Sequence, residues 1–168
     1  MSITKFKGQP VQIAGEFVKA GAAAPDFELV KTDLSTLSLK DLRGKQVILN
    51  IFPSLDTGVC AASVRKFNKL AAGACRERSC WLFRKTCLSL MRVFARSRGI
   101  ENVVPVSDFR KTSFDESYGV LMTDGPLKGL LARSVVVIDG DGKVVYTELV
   151  PEITQEPDYD KALAAVKR

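Results

Sequence analysis

KQVILNIFPSLDTGVC, residues Lys45 to Cys60, is the stretch from which the fold can be read. Its first half, KQVILNIF, is an unbroken run of β-branched and apolar side chains, the pattern of a strand buried on both faces. That strand ends at Pro53. After the PSLDTG turn, Cys60, Val64, Phe67 and Ala71 recur at helical spacing, while Arg65, Lys66 and Lys69 take the other face. A buried strand therefore feeds an amphipathic helix, with Cys60 in its first turn.

Working outward, KFKGQPVQIAGEFV alternates around a Gly-Gln-Pro turn and reads as an N-terminal β-hairpin. PDFELVKTD and TLSLKDL lie between it and the buried strand. Downstream, NVVPVS reads as a strand and FRKTSFDESYG as a helix closed by Gly119. SVVVID and KVVYTELV flank a DGDG turn and form a second hairpin. EPDYDKALAAVKR closes the chain as a helix, with Pro157 near its first turn. Strand and helix alternate between hairpins, which predicts an α/β sandwich: a mixed central sheet flanked by helices, with an N-terminal β-hairpin.

A chain of 168 residues, 46% hydrophobic, is long enough for one compact domain over residues 1–168. Such a domain buries roughly 70% of its unfolded surface. No apolar run reaches the roughly 18 to 20 residues of a membrane span, and MSITKFKGQPVQIAGEF lacks the plan of a secretory signal. A soluble, cytoplasmic protein is expected. The net charge of +6 is local: between Gly73 and Arg98, seven basic residues face Glu77 alone, and the rest of the chain is neutral. This argues against nucleic acid or a membrane surface as the partner of the whole molecule.

A cysteine entering a helix just after a buried strand has a physical advantage, because free N–H groups and the positive helix end stabilise a thiolate. Such sites bring a thiol from a pKa of about 8.5 into a range of roughly 3.5 to 7.5. Position alone leaves two readings open for Cys60, a nucleophile or a small buried hydrophobe.

Pro53, Thr57 and Cys60 form a P-x3-T-x2-C pattern that resembles the active-site motif of the peroxiredoxins. The longer PSLDTGVCAASVRKFN is similar to the atypical two-cysteine thiol peroxidase family of bacteria. APDFELV, KQVILNIFPS, DGPLKGLLARSVVVID and EITQEPDYDKALAA extend the resemblance, in order, over most of the chain except roughly residues 73–98. It implies a thioredoxin-like fold and a thiol-dependent peroxidase that reduces hydrogen peroxide and organic hydroperoxides through a sulfenic acid on Cys60. It further implies that Thr57 holds the peroxide through its hydroxyl and that the Cys60 N–H binds an oxygen. Arg133 would support thiolate and substrate, and Pro53 would shield the thiolate from water. Read without the resemblance, Arg133 is a surface arginine at a strand entrance and Thr57 a helix N-cap. No cofactor and no metal are implied. Thioredoxin is the implied reductant, and a homodimer the implied assembly. The apolar turn GPLKGLLA suits a substrate channel or a dimer contact equally.

The family's resolving cysteine lies about 34 residues past the reactive one, in a pattern like DLPFAxxRFC; here that place falls at Phe94 and Ala95. Cys75, Cys80 and Cys87 lie nearby, of which Cys80 and Cys87 are the fallback partners for Cys60. Their C-x4-C-x6-C spacing, in a chain without histidine, is poor for zinc. A shifted reading frame explains the segment better. Joining the last base of each codon to the first two of the next, from Phe83 onward, lets RKTCLSLMRVFA (residues 84–95) be read as SKDLPFAYARFC. In the other offset Arg76 to Cys80 gives ENAVV, the start of the expected strand. Residues 74–98 are thus read as a frame-shifted translation, whether by sequencing error or mutation, of family sequence. As written, SCWLF still suits a strand and LSLMRVFAR a helix with Leu88, Met91 and Ala95 inward. Two other functions stay open: a thioredoxin-fold protein with impaired recycling, either a one-cysteine peroxidase or a non-catalytic binding or holdase module, and a binder of anionic partners through the basic segment.

Overall fold

The computed structural model describes residues 2–53, 62–66, 68–69, 79–84, 103–108, 110 and 114–166. The interior strand β5 (Val47–Ile51) has all five of its residues buried. They are buried because a strand covers each edge and packed layers cover each face. β5 runs parallel to β6 (Ser79–Arg84) and antiparallel to β8 (Ser134–Ile138), whose five residues are equally buried. β6 runs parallel to β7 (Val103–Ser107), and β9 (Val144–Leu149) pairs antiparallel with β8 at one edge. At the other edge β3 (Glu28–Lys31) joins β7, and β4 (Thr36–Ser38) joins β3, both antiparallel. The result is one mixed sheet of seven strands in the order β4-β3-β7-β6-β5-β8-β9. SCWLF is indeed a strand, as expected.

Alternation along β5 sends Val47, Leu49 and Ile51 into one core with Leu29, Val106, Val136 and Ile138. Phe114 and Tyr118 seal this layer: their rings stack at 4.5 Å, and Phe27 meets Phe114 edge-on at 5.9 Å. Each fully buried aliphatic side chain stabilises the fold by about 1.5 to 3 kcal/mol. The strand NVVPVS and the hairpin SVVVID/KVVYTELV stand where the sequence puts them. The helix expected over FRKTSFDESYG is short among the described residues, α2 (Phe114–Ser117), and a turn closes it at Gly119 with φ 63°. The final helix α3 (Tyr159–Val166) packs on β8, β9 and β5. Pro157 stands near its first turn, as expected, one residue before the cap: Asp158 accepts the Lys161 N–H on its carboxylate at 3.1 Å and the Ala162 N–H on its carbonyl at 3.3 Å.

The N-terminal hairpin is present, but its turn differs from the expected Gly-Gln-Pro. β1 (Ile3–Phe6) and β2 (Gln9–Gln12) are joined by Lys7 and Gly8, with φ 52° and 79°. Two successive positive φ angles suit the right-handed twist of a two-residue hairpin. Pro10 lies inside β2, paired with Lys5 in a two-stranded ribbon where edge positions tolerate a missing N–H. Under this hairpin a second core gathers Val11, Ile13, Met122, Ala132 and Ile153, and Leu127 and Leu130 of the apolar turn pack against it. No described helix is long and apolar enough to cross a membrane.

Candidate active site

The site is organised by the end of β5. Phe52 is fully buried and Pro53 is buried where the chain leaves the sheet. Thr57 and Cys60 lie outside the described residues, as do Cys75, Cys87, Phe94, Ala95 and the expected helix LSLMRVFAR. The helix expected to carry Cys60 is seen from residue 62: residues 62–66 and 68–69, here α1, are helical. Val64 faces the core at 0% exposure, and Arg65, Lys66 and Lys69 are exposed, as the spacing predicts.

Arg133 comes from the neighbouring strand. Ile51 pairs with Ser134 as the last pair of the β5–β8 register, so Arg133, just before β8, stands at the end of the sheet where β5 leads into Phe52 and Pro53. Two of the expected site residues, Pro53 and Arg133, thus lie at the same end of the sheet. Arg133 is no surface residue, being 1% exposed. Withdrawing a guanidinium from water costs several kcal/mol unless hydrogen bonds replace the solvent. Here its Nε donates to the Ile153 carbonyl at 2.7 Å, which orients the planar fork.

Four residues in this region escape the sequence reading. Asn50, the polar member of the VILNI run, is 1% exposed and bonds Ser63 of α1, which is 0% exposed. Tyr159 of α3 reaches the same place: its hydroxyl donates to Glu156 Oε1 at 2.8 Å and shares a hydrogen bond with Ser63. Burial raises the Tyr159 phenol above its ordinary value, while the Ser63 hydroxyl and the Arg133 charge pull the other way. Ile153 is the fourth, acting through its carbonyl. A lone Asn inside an apolar strand is a readable signal; a backbone carbonyl has none.

β6 sets the position of one fallback thiol. Cys80 pairs with Ile48 on β5 and Val103 on β7, three residues short of the pair that β5 ends on, Ile51 and Phe83. At about 3.3 Å per residue this is about 10 Å down the strand from the site end.

A family model described as Redoxin matches residues 19–163. A thiol peroxidase of Corynebacterium glutamicum is 50% identical over 166 residues, 99% of each chain. The chain belongs to the redoxin family and, within it, to the thiol peroxidases. A thiol peroxidase of Mycobacterium tuberculosis is 48% identical over the same span, again 99% of each chain. Among solved structures, a peroxiredoxin-like protein from Aquifex aeolicus superposes with a TM-score of 0.92 at 39% identity, covering 98% of this chain and 95% of its own. The thioredoxin-like architecture of this redoxin is therefore shared with its relatives at nearly full length.

Proposed function

We propose that the chain is a thiol-dependent peroxidase in which Cys60 reduces hydrogen peroxide and organic hydroperoxides. The observation that carries this reading is the 50% identity with a thiol peroxidase over 99% of each chain, and the buried Arg133 at the Pro53 end of the sheet supports it. The Cys60 thiolate attacks the terminal peroxide oxygen. An S–O bond forms, the O–O bond breaks, and the departing alkoxide or hydroxide takes up a proton, leaving a sulfenic acid. Charge grows on that departing oxygen, so fixed donors aimed at it lower the barrier. Arg133, Thr57 and the Cys60 N–H take this role, and Pro53 keeps water from the sulfur.

Recycling follows from the cysteine positions. A disulfide needs Cα atoms about 4.4 to 6.8 Å apart, and the place of Cys80 well down β6 disfavours it as the partner of a thiol at the site end. With Phe94 and Ala95 at the family's resolving position, the chain as written works as a one-cysteine peroxidase. An external thiol, for which thioredoxin is the proposed source, attacks the sulfenic acid directly, releasing water, and a second thiol completes the reduction. A cytoplasmic homodimer folded as one domain is the proposed form.

Peroxide consumption in the presence of thioredoxin and its reductase tests this reading. The wild type is expected to turn over and Cys60→Ser to stop; equal rates would remove the claim.

A further inference from the structure

The loop after β9 holds Arg133 at two points. Val150 N–H donates to the Arg133 carbonyl at 3.0 Å, and the Ile153 carbonyl accepts Arg133 Nε at 2.7 Å. That loop is itself tied to the N-terminal hairpin. Lys5 N–H donates to the Pro151 carbonyl at 2.9 Å, Ile153 N–H to the Lys5 carbonyl at 2.8 Å, and Thr4 Oγ1 to the Val150 carbonyl at 2.8 Å. Between these ties stands Glu152. Its Oε1 accepts the Lys7 N–H at 3.0 Å and the Thr154 hydroxyl at 3.0 Å, with the Thr154 N–H at 3.3 Å, and its Oε2 accepts the Gly8 N–H at 2.9 Å. The left-handed turn at Lys7 and Gly8 is what brings two successive N–H groups onto one carboxylate.

We propose that Glu152 is a positioning residue for Arg133, clasping the hairpin turn to the loop so that the Ile153 carbonyl fixes the guanidinium. The inference rests on the reading that Arg133 serves the Cys60 reaction. A long, rotamer-rich arginine loses much side-chain entropy when held still, and a site of this kind works only where the holding is done beforehand. The hydrogen bonds onto Glu152, the Gly8 N–H foremost, also keep its carboxyl below the usual range, so the clasp is charged at neutral pH.

The test is a double-mutant cycle of Glu152→Ala and Arg133→Gln. It is read by the second-order rate of Cys60 oxidation in single turnover, by the Cys60 thiol pKa from thiolate absorbance, and by thermal melting. Glu152→Ala is expected to slow oxidation roughly tenfold, within the hundredfold that a misplacement of about 1 Å can cost, and to raise the Cys60 pKa. In the Arg133→Gln background the same change is expected to add nothing. Additive losses, or a normal rate in Glu152→Ala beside a slow Arg133→Gln, would overturn the proposal. A normal rate in Arg133→Gln would remove the underlying reading and this one with it. Glu152→Gln, which keeps one acceptor oxygen, carries the same cycle if the alanine variant melts early.

Discussion

Asn50 and Ser63 hydrogen-bond each other out of reach of water: Asn50 Nδ2 donates to Ser63 Oγ at 3.2 Å, and Ser63 Oγ lies 3.3 Å from Asn50 Oδ1. One belongs to the doubly covered strand β5 and the other to α1, three residues after Cys60. Losing one partner strands a buried polar group, at a cost of about 1 to 3 kcal/mol. Ser63→Ala and Asn50→Leu are each expected to lose that much stability in urea unfolding. The double variant is expected to lose less than the sum, because the second change removes a group that the first has already deprived of this partner. Simple additivity would show that the pair does not act as a unit.

Arg133→Ala is expected to slow Cys60 oxidation on the order of 10² to 10³-fold, the usual effect of deleting a fixed donor to a developing oxyanion. Arg133→Lys should recover only part of this, since an ammonium cannot reproduce the Nε bond to Ile153 while presenting two further nitrogens. Stopped-flow oxidation with excess hydroperoxide measures both. A fully active lysine variant would reduce the role of Arg133 to that of a point charge.

Gly119 sits at φ 63°, and a Cβ there would lie 2.1 Å from the Glu16 carbonyl oxygen. The contact is with backbone, so nothing small can move aside. Gly119→Ala is therefore expected to destabilise by about 3 kcal/mol, combining left-handed strain with the clash. Chemical denaturation at neutral pH would measure it, and a loss below about 1 kcal/mol would mean that residues 16–17 yield easily.

Tyr118 is fully buried, its hydroxyl donating to the Pro25 carbonyl at 2.8 Å. Burial foremost, with the nearby Asp26 charge, raises its phenol above the ordinary 10.0. The unfolded chain thus releases this proton first as pH rises. The stabilisation is complete below pH 10 and disappears as the pH climbs toward the folded value. Wild type is expected to lose stability above pH 10 more steeply than Tyr118→Phe; parallel curves would assign the loss to other groups.

The shifted reading of residues 84–95 makes a prediction of mass. If the cause is sequencing error, the tryptic map should contain DLPFAYAR and the resequenced coding DNA should read through residues 74–98 in a single frame. Recovery of SCWLFR, residues 79–84, would remove the sequencing-error explanation and leave the chain with the thiols described above.

How much of this was legible depended on how local each cause is. KQVILNIF announced a doubly covered strand because burial on both faces erases alternation, and β5 bears that out. The hairpin's existence was equally readable, but its turn was not. Gly and Pro drew the reading to positions 8–10, whereas the backbone makes its reversal with a lysine at positive φ, which no propensity flags. Without the family resemblance Arg133 read as a surface residue; its burial and its bond to the Ile153 carbonyl come from parts of the chain that no local pattern joins. Glu152 could not be singled out at all, since its partners lie about 145 residues away.

That last separation bears on when the molecule becomes competent. The brace on Arg133 is made from the first eight residues and from Val150 to Thr154, near the far end of the chain. While synthesis is still short of Ile153, the guanidinium has no carbonyl to lean on, even though β5 and the helix after Cys60 are already complete. If Arg133 serves Cys60 as proposed, peroxide chemistry waits for the last stretch of translation.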